Sequence, residues 1–242
     1  MNAPSSLPTL LIATRNAHKV GEIRSILGEQ FRYLTLNDFP DAPTAVEDAA
    51  TFAGNATKKA VGLARWLSDT RHSTPDPRHF HILADDSGLE VDALHGAPGV
   101  YSARFAAMDR SADSLSAGNS AAADNNAKLL RLLKDVPTEK RTGRFRCVLA
   151  LTPVLAKRTE AASAICYADE LEMLTENFEG TCDGRIGFEP RGNNGFGYDP
   201  LFIPFGFEQT FAELGEEAKN RLSHRSKALE KLSARLKSLL RP

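Results

Sequence analysis

Leu10-Leu11-Ile12-Ala13-Thr14-Arg15-Asn16-Ala17-His18-Lys19 is the stretch that decides the fold class. Its first four residues form a short apolar run, the mark of a buried strand. Directly after Lys19, Val20, Ile23, Ile26 and Leu27 recur at helical spacing. Thr14 to Lys19 is the strand-to-helix turn between them. A strand feeding straight into a helix is the unit from which α/β proteins are built. The alternation continues along the chain. Thr51 is a helix N-cap ahead of a face made by Phe52, Ala56, Ala60, Leu63, Ala64 and Leu67. Pro75 and Pro77 predict an exposed loop over 68–79. Phe80 to Ala84 reads as a strand running into Asp85-Asp86-Ser87-Gly88, with Gly88 allowing a tight turn. Residues 111–124, rich in Ser and Ala, read as a loop entering a helix faced by Leu129, Leu130, Leu132 and Leu133. Phe145 to Leu151 is a buried strand, and Ala162 to Glu179 holds one or two more, turning near Ala168-Asp169-Glu170. Gly180 to Gly206 reads mostly as turns. Leu229, Leu232, Leu236 and Leu239 face a final helix.

Composition narrows the function class. In 242 residues, 30 Lys+Arg balance 31 Asp+Glu, which argues against a bulk nucleic-acid or membrane-surface binder. No apolar run approaches the roughly 20 residues that span a bilayer, and no basic, apolar leader opens the chain. Three cysteines, Cys147, Cys166 and Cys182, stand far apart without a C-x-x-C pair. That excludes a disulfide scaffold and a cysteine-rich zinc site.

Four polar clusters sit at the ends of apolar elements, where α/β proteins collect ligands. Thr14, Asn16 and Lys19 at a helix N-terminus make an anion cradle, because backbone N–H groups and the helix dipole favour phosphate there. They equally fit a plain helix cap with a solvated lysine. Asp85-Asp86 places two carboxylates side by side, costly unless a cation or a solvated cleft neutralises them. Alternation along a strand turns only one of the pair toward a given face. A Mg²⁺ ligand or general base fits, and so does a turn with capping aspartates. Gly192-Asn193-Asn194-Gly195-Phe196-Gly197-Tyr198-Asp199-Pro200 suits a loop that approaches a flat ligand while a ring stacks on it, or a structural aromatic plug. Lys219 and Ser223-His224-Arg225-Ser226 supply donors ahead of a helix, for phosphate or a base carbonyl, or simply cap it. Dinucleotide, P-loop, nucleophile-elbow, zincin and kinase signatures are absent from the sequence.

Taken in order, these clusters resemble the inosine triphosphate pyrophosphatase family, also called dITP/XTP pyrophosphatases. The resemblance rests on Thr14-x-Asn16-x-x-Lys19, Glu47, Thr51-Phe52-x-x-Asn55-Ala56 and Lys59, then Ala84-Asp85-Asp86-Ser87-Gly88-Leu89. It continues through Gly96 to Arg104, Gly195-Phe196-Gly197-Tyr198-Asp199-Pro200 and Ser223-His224-Arg225, and so covers about residues 10 to 240. It implies an α/β fold of one domain with two lobes around a long twisted mixed sheet, the active site in the cleft. The implied activity is Mg²⁺-dependent hydrolysis of deaminated purine nucleoside triphosphates to the monophosphate and pyrophosphate, by a cytoplasmic homodimer. By that likeness Thr14, Arg15, Asn16, Ala17, His18, Lys19 and Lys59 hold the triphosphate. Glu47 and Asp86 hold Mg²⁺, with Asp86 as general base. Ser87, Phe196, Gly197, Tyr198, Asp199, Lys219, His224 and Arg225 contact the nucleotide. A nucleotide-binding module without catalysis, and a pyrophosphatase of the septum-inhibitor type with another base choice, are the competing readings.

The chain departs from the family's pattern in places. Gly54 stands where a glutamate often precedes Asn55. Arg15 stands where a small residue is usual. The segments 68–79 and 155–175 are longer than in compact relatives and read as surface insertions.

Overall fold

A computed structural model describes residues 7–70, 80–109, 119–155 and 170–239. The expectations over 71–79, 111–118 and 156–169, the turn at Ala168-Asp169 among them, lie outside these residues, as does the side chain of Leu239.

Strand β1 (Thr9–Ile12) is buried throughout and pairs in parallel with β2 (Arg32–Thr35) and β3 (Phe80–Val91). Leu11 stands opposite Leu34 on one side and Ile82 on the other. With β4 (Thr142–Pro153), β5 (Glu176–Ile186) and β6 (Phe202–Pro204) the sheet order is β2-β1-β3-β4-β5-β6, and β5–β6 is antiparallel. The sheet is therefore mixed, as the resemblance implies.

Helix α1 (Ala17–Leu27) buries Ile23 and Leu27. Helix α2 (Phe52–Asp69) starts at Thr51, whose side chain accepts from the Gly54 N–H, and it buries all six residues of the expected face. Helix α3 (Ala122–Leu132), helix α4 (Phe211–Leu222) and helix α5 (His224–Leu239) follow along the chain. Leu229, Leu232 and Leu236 of α5 are buried. None of the described helices is long and apolar enough to cross a membrane.

The chain divides into two units. One comprises the chain up to Asp86, Val148–Phe178 and the chain from Leu229 on; the other comprises Ser87–Cys147 and Glu179–Ala228. Strands β3, β4 and β5 each give residues to both units. In the second unit Leu89, Val91, Phe105, Leu129, Phe145, Phe202 and Phe211 share a core, and the Phe145 and Phe202 rings lie 4.6 Å apart.

Several expectations are corrected. Strand β3 does not end at Asp85-Asp86 or turn at Gly88; it runs on to Val91, because Leu89 and Val91 are fully buried and carry it into the second core. Ser68 and Asp69 belong to α2 rather than to a loop, and the Ser68 hydroxyl is satisfied by the carbonyls of Ala64 (3.0 Å) and Leu155 (2.8 Å). Residues 170–173 are helical, and the strand begins only at Glu176. Gly180 to Ile186 is strand, not turn. Its glycines mark close approach: a Cβ at Gly180 would sit 2.6 Å from the Ala228 nitrogen, and one at Gly184 2.6 Å from the Phe202 ring. Leu132 is exposed, so the α3 face is Leu129 and Leu133 with Leu130 partly packed.

Candidate active site

In the first unit, the turn from β1 into α1 forms as the sequence suggests. The Asn16 side chain accepts from the N–H groups of His18 (3.0 Å) and Lys19 (3.3 Å), and the Thr14 hydroxyl accepts from the Asn16 N–H at 3.1 Å. The cap fixes where Lys19 leaves the helix, and its ammonium pairs with the Asp85 carboxylate. Arg15, Asn16, Ala17 and His18 are exposed.

Lys59 comes from the middle of α2. Its ammonium donates to Asp86 Oδ1 at 2.8 Å, to the Asp85 carbonyl at 3.0 Å and to Glu47 Oε1 at 3.2 Å. Asp85 and Asp86 are both buried, and each carboxylate meets a different lysine, as alternation along a strand requires. Burial pushes the Asp86 carboxyl above its ordinary range, and Lys59 pulls it back only in part. For Lys59 burial opposes the charge, but Asp86 and then Glu47 outweigh it and hold the ammonium protonated.

This cluster has the chemistry of a divalent-cation site. It holds two ammonium groups against the three carboxylates Glu47, Asp85 and Asp86, an excess of one negative charge. Asp86 Oδ2 is buried and has no hydrogen-bond partner among the described residues. Such an atom costs stability unless a ligand meets it. No group of three or more His, Cys, Asp or Glu forms a full cage among the described residues. A hard cation that keeps waters and takes substrate phosphates needs only one or two carboxylates, and Asp86 with Glu47 supplies them. Beside them a cavity of about 450 Å³ is lined by Arg15, Val46, Glu47, Asp48, Lys58 and Lys59 among others.

Gly54 lies in the first turn of α2. A Cβ there would stand 2.8 Å from the Ala49 methyl, and Ala49 is itself pinned, its N–H donating to Asn55 Oδ1 at 2.9 Å. A side chain at position 54 would thus meet space that is already filled.

In the second unit, Phe196 presents its ring to two cations, Lys219 Nζ at 4.2 Å from the centroid and the Arg225 guanidinium at 5.8 Å. Lys219 donates to Asp199 Oδ2 at 2.6 Å, and the same oxygen accepts from the Phe196 N–H at 2.8 Å. Asp199 is therefore the lock of the loop as well as a partner of Lys219. Arg225 donates to the Ser87 hydroxyl at 2.9 Å. His224 stacks on Phe145, 4.8 Å between centroids and 13° between planes. Lys219, His224 and Arg225 are all buried, Lys219 within α4 and the other two in the first turn of α5, rather than lying exposed ahead of a helix. Tyr198 is buried, its hydroxyl donating to the Ser102 carbonyl at 2.9 Å, and burial pushes its pKa well up. Any contact from Tyr198 to a nucleotide thus comes from its backbone.

The expected residues fall into two sets: Lys19, Glu47, Lys59 and Asp86 in one unit, and Ser87, Phe196, Asp199, Lys219 and Arg225 in the other. Sequence reasoning left the part of Asp85 open and passed over Asn126, which donates to the Gly197 carbonyl at 3.0 Å. The available signal was a pair of asparagines at 125–126 on a helix that buries them.

Residues 10–235 match the model of the Ham1 family. A dITP/XTP pyrophosphatase of Exiguobacterium sibiricum is 43% identical over 96% of this chain and 98% of its own. One from Geobacter sulfurreducens is 44% identical over 94% and 96%. Among solved structures, the Ham1 protein of Staphylococcus aureus superposes with a TM-score of 0.70 at 30% identity, covering 95% of this chain and 98% of that one. That of Coxiella burnetii gives 0.70 at 32%, with the same coverage. With a family match over residues 10–235 and likeness along nearly its whole length, the chain belongs to the Ham1 family.

Proposed function

We propose that this protein hydrolyses deaminated purine nucleoside triphosphates (ITP, dITP and XTP) to the nucleoside monophosphate and pyrophosphate, with Mg²⁺ as cofactor. The observation that carries the reading is Asp86, a buried carboxylate with one oxygen on Lys59 and the other open, beside Glu47. The names of the relatives support the substrate class.

Thr14, Arg15, Asn16, Ala17, His18 and Lys19 receive the triphosphate at the N-terminus of α1, where the positive end of the helix dipole favours anions. Lys59 joins them from α2. Held by Asp86 and Glu47, Mg²⁺ would withdraw charge from the phosphate oxygens and lower the pKa of a water. Asp86 takes the proton of the water that attacks the α-phosphorus. The bond from that phosphorus to the bridging oxygen breaks, and pyrophosphate leaves with the electron pair, its charge offset by Lys19 and Lys59. At the other end of the substrate the base stacks on Phe196. The donors Lys219, His224 and Arg225 meet its 6-oxo group, and Ser87, Gly197, Tyr198 and Asp199 complete the contacts. Free nucleotides as substrates support a cytoplasmic location, and family likeness supports a homodimer.

The test is a panel of nucleoside triphosphates with Mg²⁺, scored for phosphate after a coupling pyrophosphatase and for the monophosphate by chromatography. ITP, dITP and XTP are expected to lead, with no turnover after chelation of the metal. No phosphate from any of them would make the protein a binder. A preference for dTTP or UTP would make it a hydrolase of different base choice.

A further inference from the structure

Asn126 is one of two neighbouring asparagines that α3 buries, and the two behave differently. Asn125 is satisfied at both ends of its amide: Oδ1 accepts from the Ala106 N–H at 2.8 Å, and Nδ2 donates to the Ala103 carbonyl at 3.3 Å. Asn126, 7% exposed, is satisfied at one end only. Its Nδ2 donates to the Gly197 carbonyl at 3.0 Å, while its Oδ1 is buried with no hydrogen-bond partner among the described residues. The orientation of the amide is not arbitrary. A carbonyl can only accept, so the NH₂ must face Gly197 and the oxygen must face away.

A buried amide with an idle acceptor costs stability that an apolar residue of similar size would not. What it gains is the hold on Gly197. That glycine has φ +64° and follows Phe196. On the other side, the Phe196 N–H is held by Asp199 Oδ2. The aromatic residue thus sits between two clamps, one on its own amide and one on the next residue's carbonyl. The Asn194 amide adds a third hold on the loop, at the Ala212 carbonyl, 3.1 Å away.

We propose that Asn126 is a positioning residue for base recognition: it fixes the Gly197 carbonyl and thereby the Phe196 ring on which the base stacks. The inference rests on the reading of Phe196 as the stacking platform. Asn126 acts through Phe196, so it governs affinity for the base end of the substrate and leaves the phosphate end alone.

The experiment uses the full chain with Asn126→Leu, Phe196→Ala and the double variant. It measures kcat and KM for ITP, inhibition by inosine monophosphate as the base probe and by pyrophosphate as the phosphate probe, and thermal unfolding. Asn126→Leu is expected to raise KM for ITP and Ki for inosine monophosphate roughly tenfold. Expected alongside are a kcat within about twofold, an unchanged Ki for pyrophosphate and an unfolding temperature that is not lowered. In the Phe196→Ala background the same change is expected to add nothing, because the two residues act as one unit. The proposal is overturned if Phe196→Ala weakens inosine monophosphate while Asn126→Leu does not, or if the two losses add in full. It is equally overturned if both probes weaken together with a lowered unfolding temperature, which is a structural role. Should Phe196→Ala itself leave inosine monophosphate binding intact, the stacking platform fails and the inference goes with it.

Discussion

Asp86 joins a lysine-bound oxygen and a buried oxygen with no hydrogen-bond partner among the described residues in one carboxylate, so Asp86→Asn separates shape from charge. Asparagine keeps an acceptor for Lys59 but loses basicity and metal affinity. A kcat at least about 10² lower is expected at saturating Mg²⁺, and a near-normal kcat would remove Asp86 from the chemistry. Lys19 and Lys59 come from different helices and meet different carboxylates. Replacing either by Ala removes a charge-assisted contact worth about 1.5–3 kcal/mol, roughly tenfold to 150-fold in kcat/KM. Pyrophosphate inhibition should weaken with it and monophosphate inhibition should not; equal weakening of both would place neither lysine on the β- and γ-phosphates. Arg225 is buried, with one nitrogen on Ser87 and its plane near Phe196. A donor there favours a 6-oxo group over a 6-amino group, and sites built on such bonds can discriminate by roughly 10⁴. Arg225→Ala is expected to weaken ITP and XTP hydrolysis and narrow the gap to ATP, with a much smaller change in the ratio of ITP to GTP. Equal proportional losses in kcat/KM on all four nucleotides would show a phosphate contact instead.

Among the elements, the junctions around β4 and β5 depend on one buried cation. Arg141 is 1% exposed, and its guanidinium donates to the carbonyls of Leu133 (2.7 Å), Ile186 (3.0 Å) and Gly187 (2.7 Å), with the Phe188 ring 4.1 Å away. Burial lowers its pKa, and no carboxylate pairs with it among the described residues. Its work is to end α3 and β5 on satisfied acceptors. Arg141→Met keeps much of the volume and orphans three carbonyls, so a loss of about 3 kcal/mol or more is expected in denaturant unfolding. A loss below about 1 kcal/mol would mean that water replaces the guanidinium. These junctions are also where sequence reading stopped. Strand β1 and the caps of α1 and α2 were legible, because their signals lie within a few residues of one another. The extension of β3 past Asp86 and the strand around Gly180 were not, because each is decided by neighbours far along the chain: the second core for Leu89, and α5 for Gly180. The same distance hid Asn126, whose partner is Gly197.

On the scale of the whole molecule, three strands are shared by the two units. β3 changes unit between Asp86 and Ser87, β4 between Cys147 and Val148, and β5 between Phe178 and Glu179. Neither unit can lose its strands without breaking ladders that continue into the other. A single cooperative unfolding transition is therefore expected by calorimetry, with calorimetric and van 't Hoff enthalpies equal; two resolved transitions would show that the shared strands do not couple the units. The site follows the same division. Asp86 ends the first segment of one unit and Ser87 opens the other, so the proposed base and the hydroxyl that Arg225 holds are on residues joined by one peptide bond.

The filled space at Gly54 couples two positions of the chain, 49 and 54, in what each can hold. Ala49 occupies the volume that any side chain at 54 would need, and Asn55 holds Ala49 in place. A side chain at 54 therefore needs Ala49 to give way, and Ala49→Gly would clear the space it takes. The two positions form an epistatic pair: the cost of a glutamate at 54 depends on what stands at 49, so neither substitution has a fixed effect of its own.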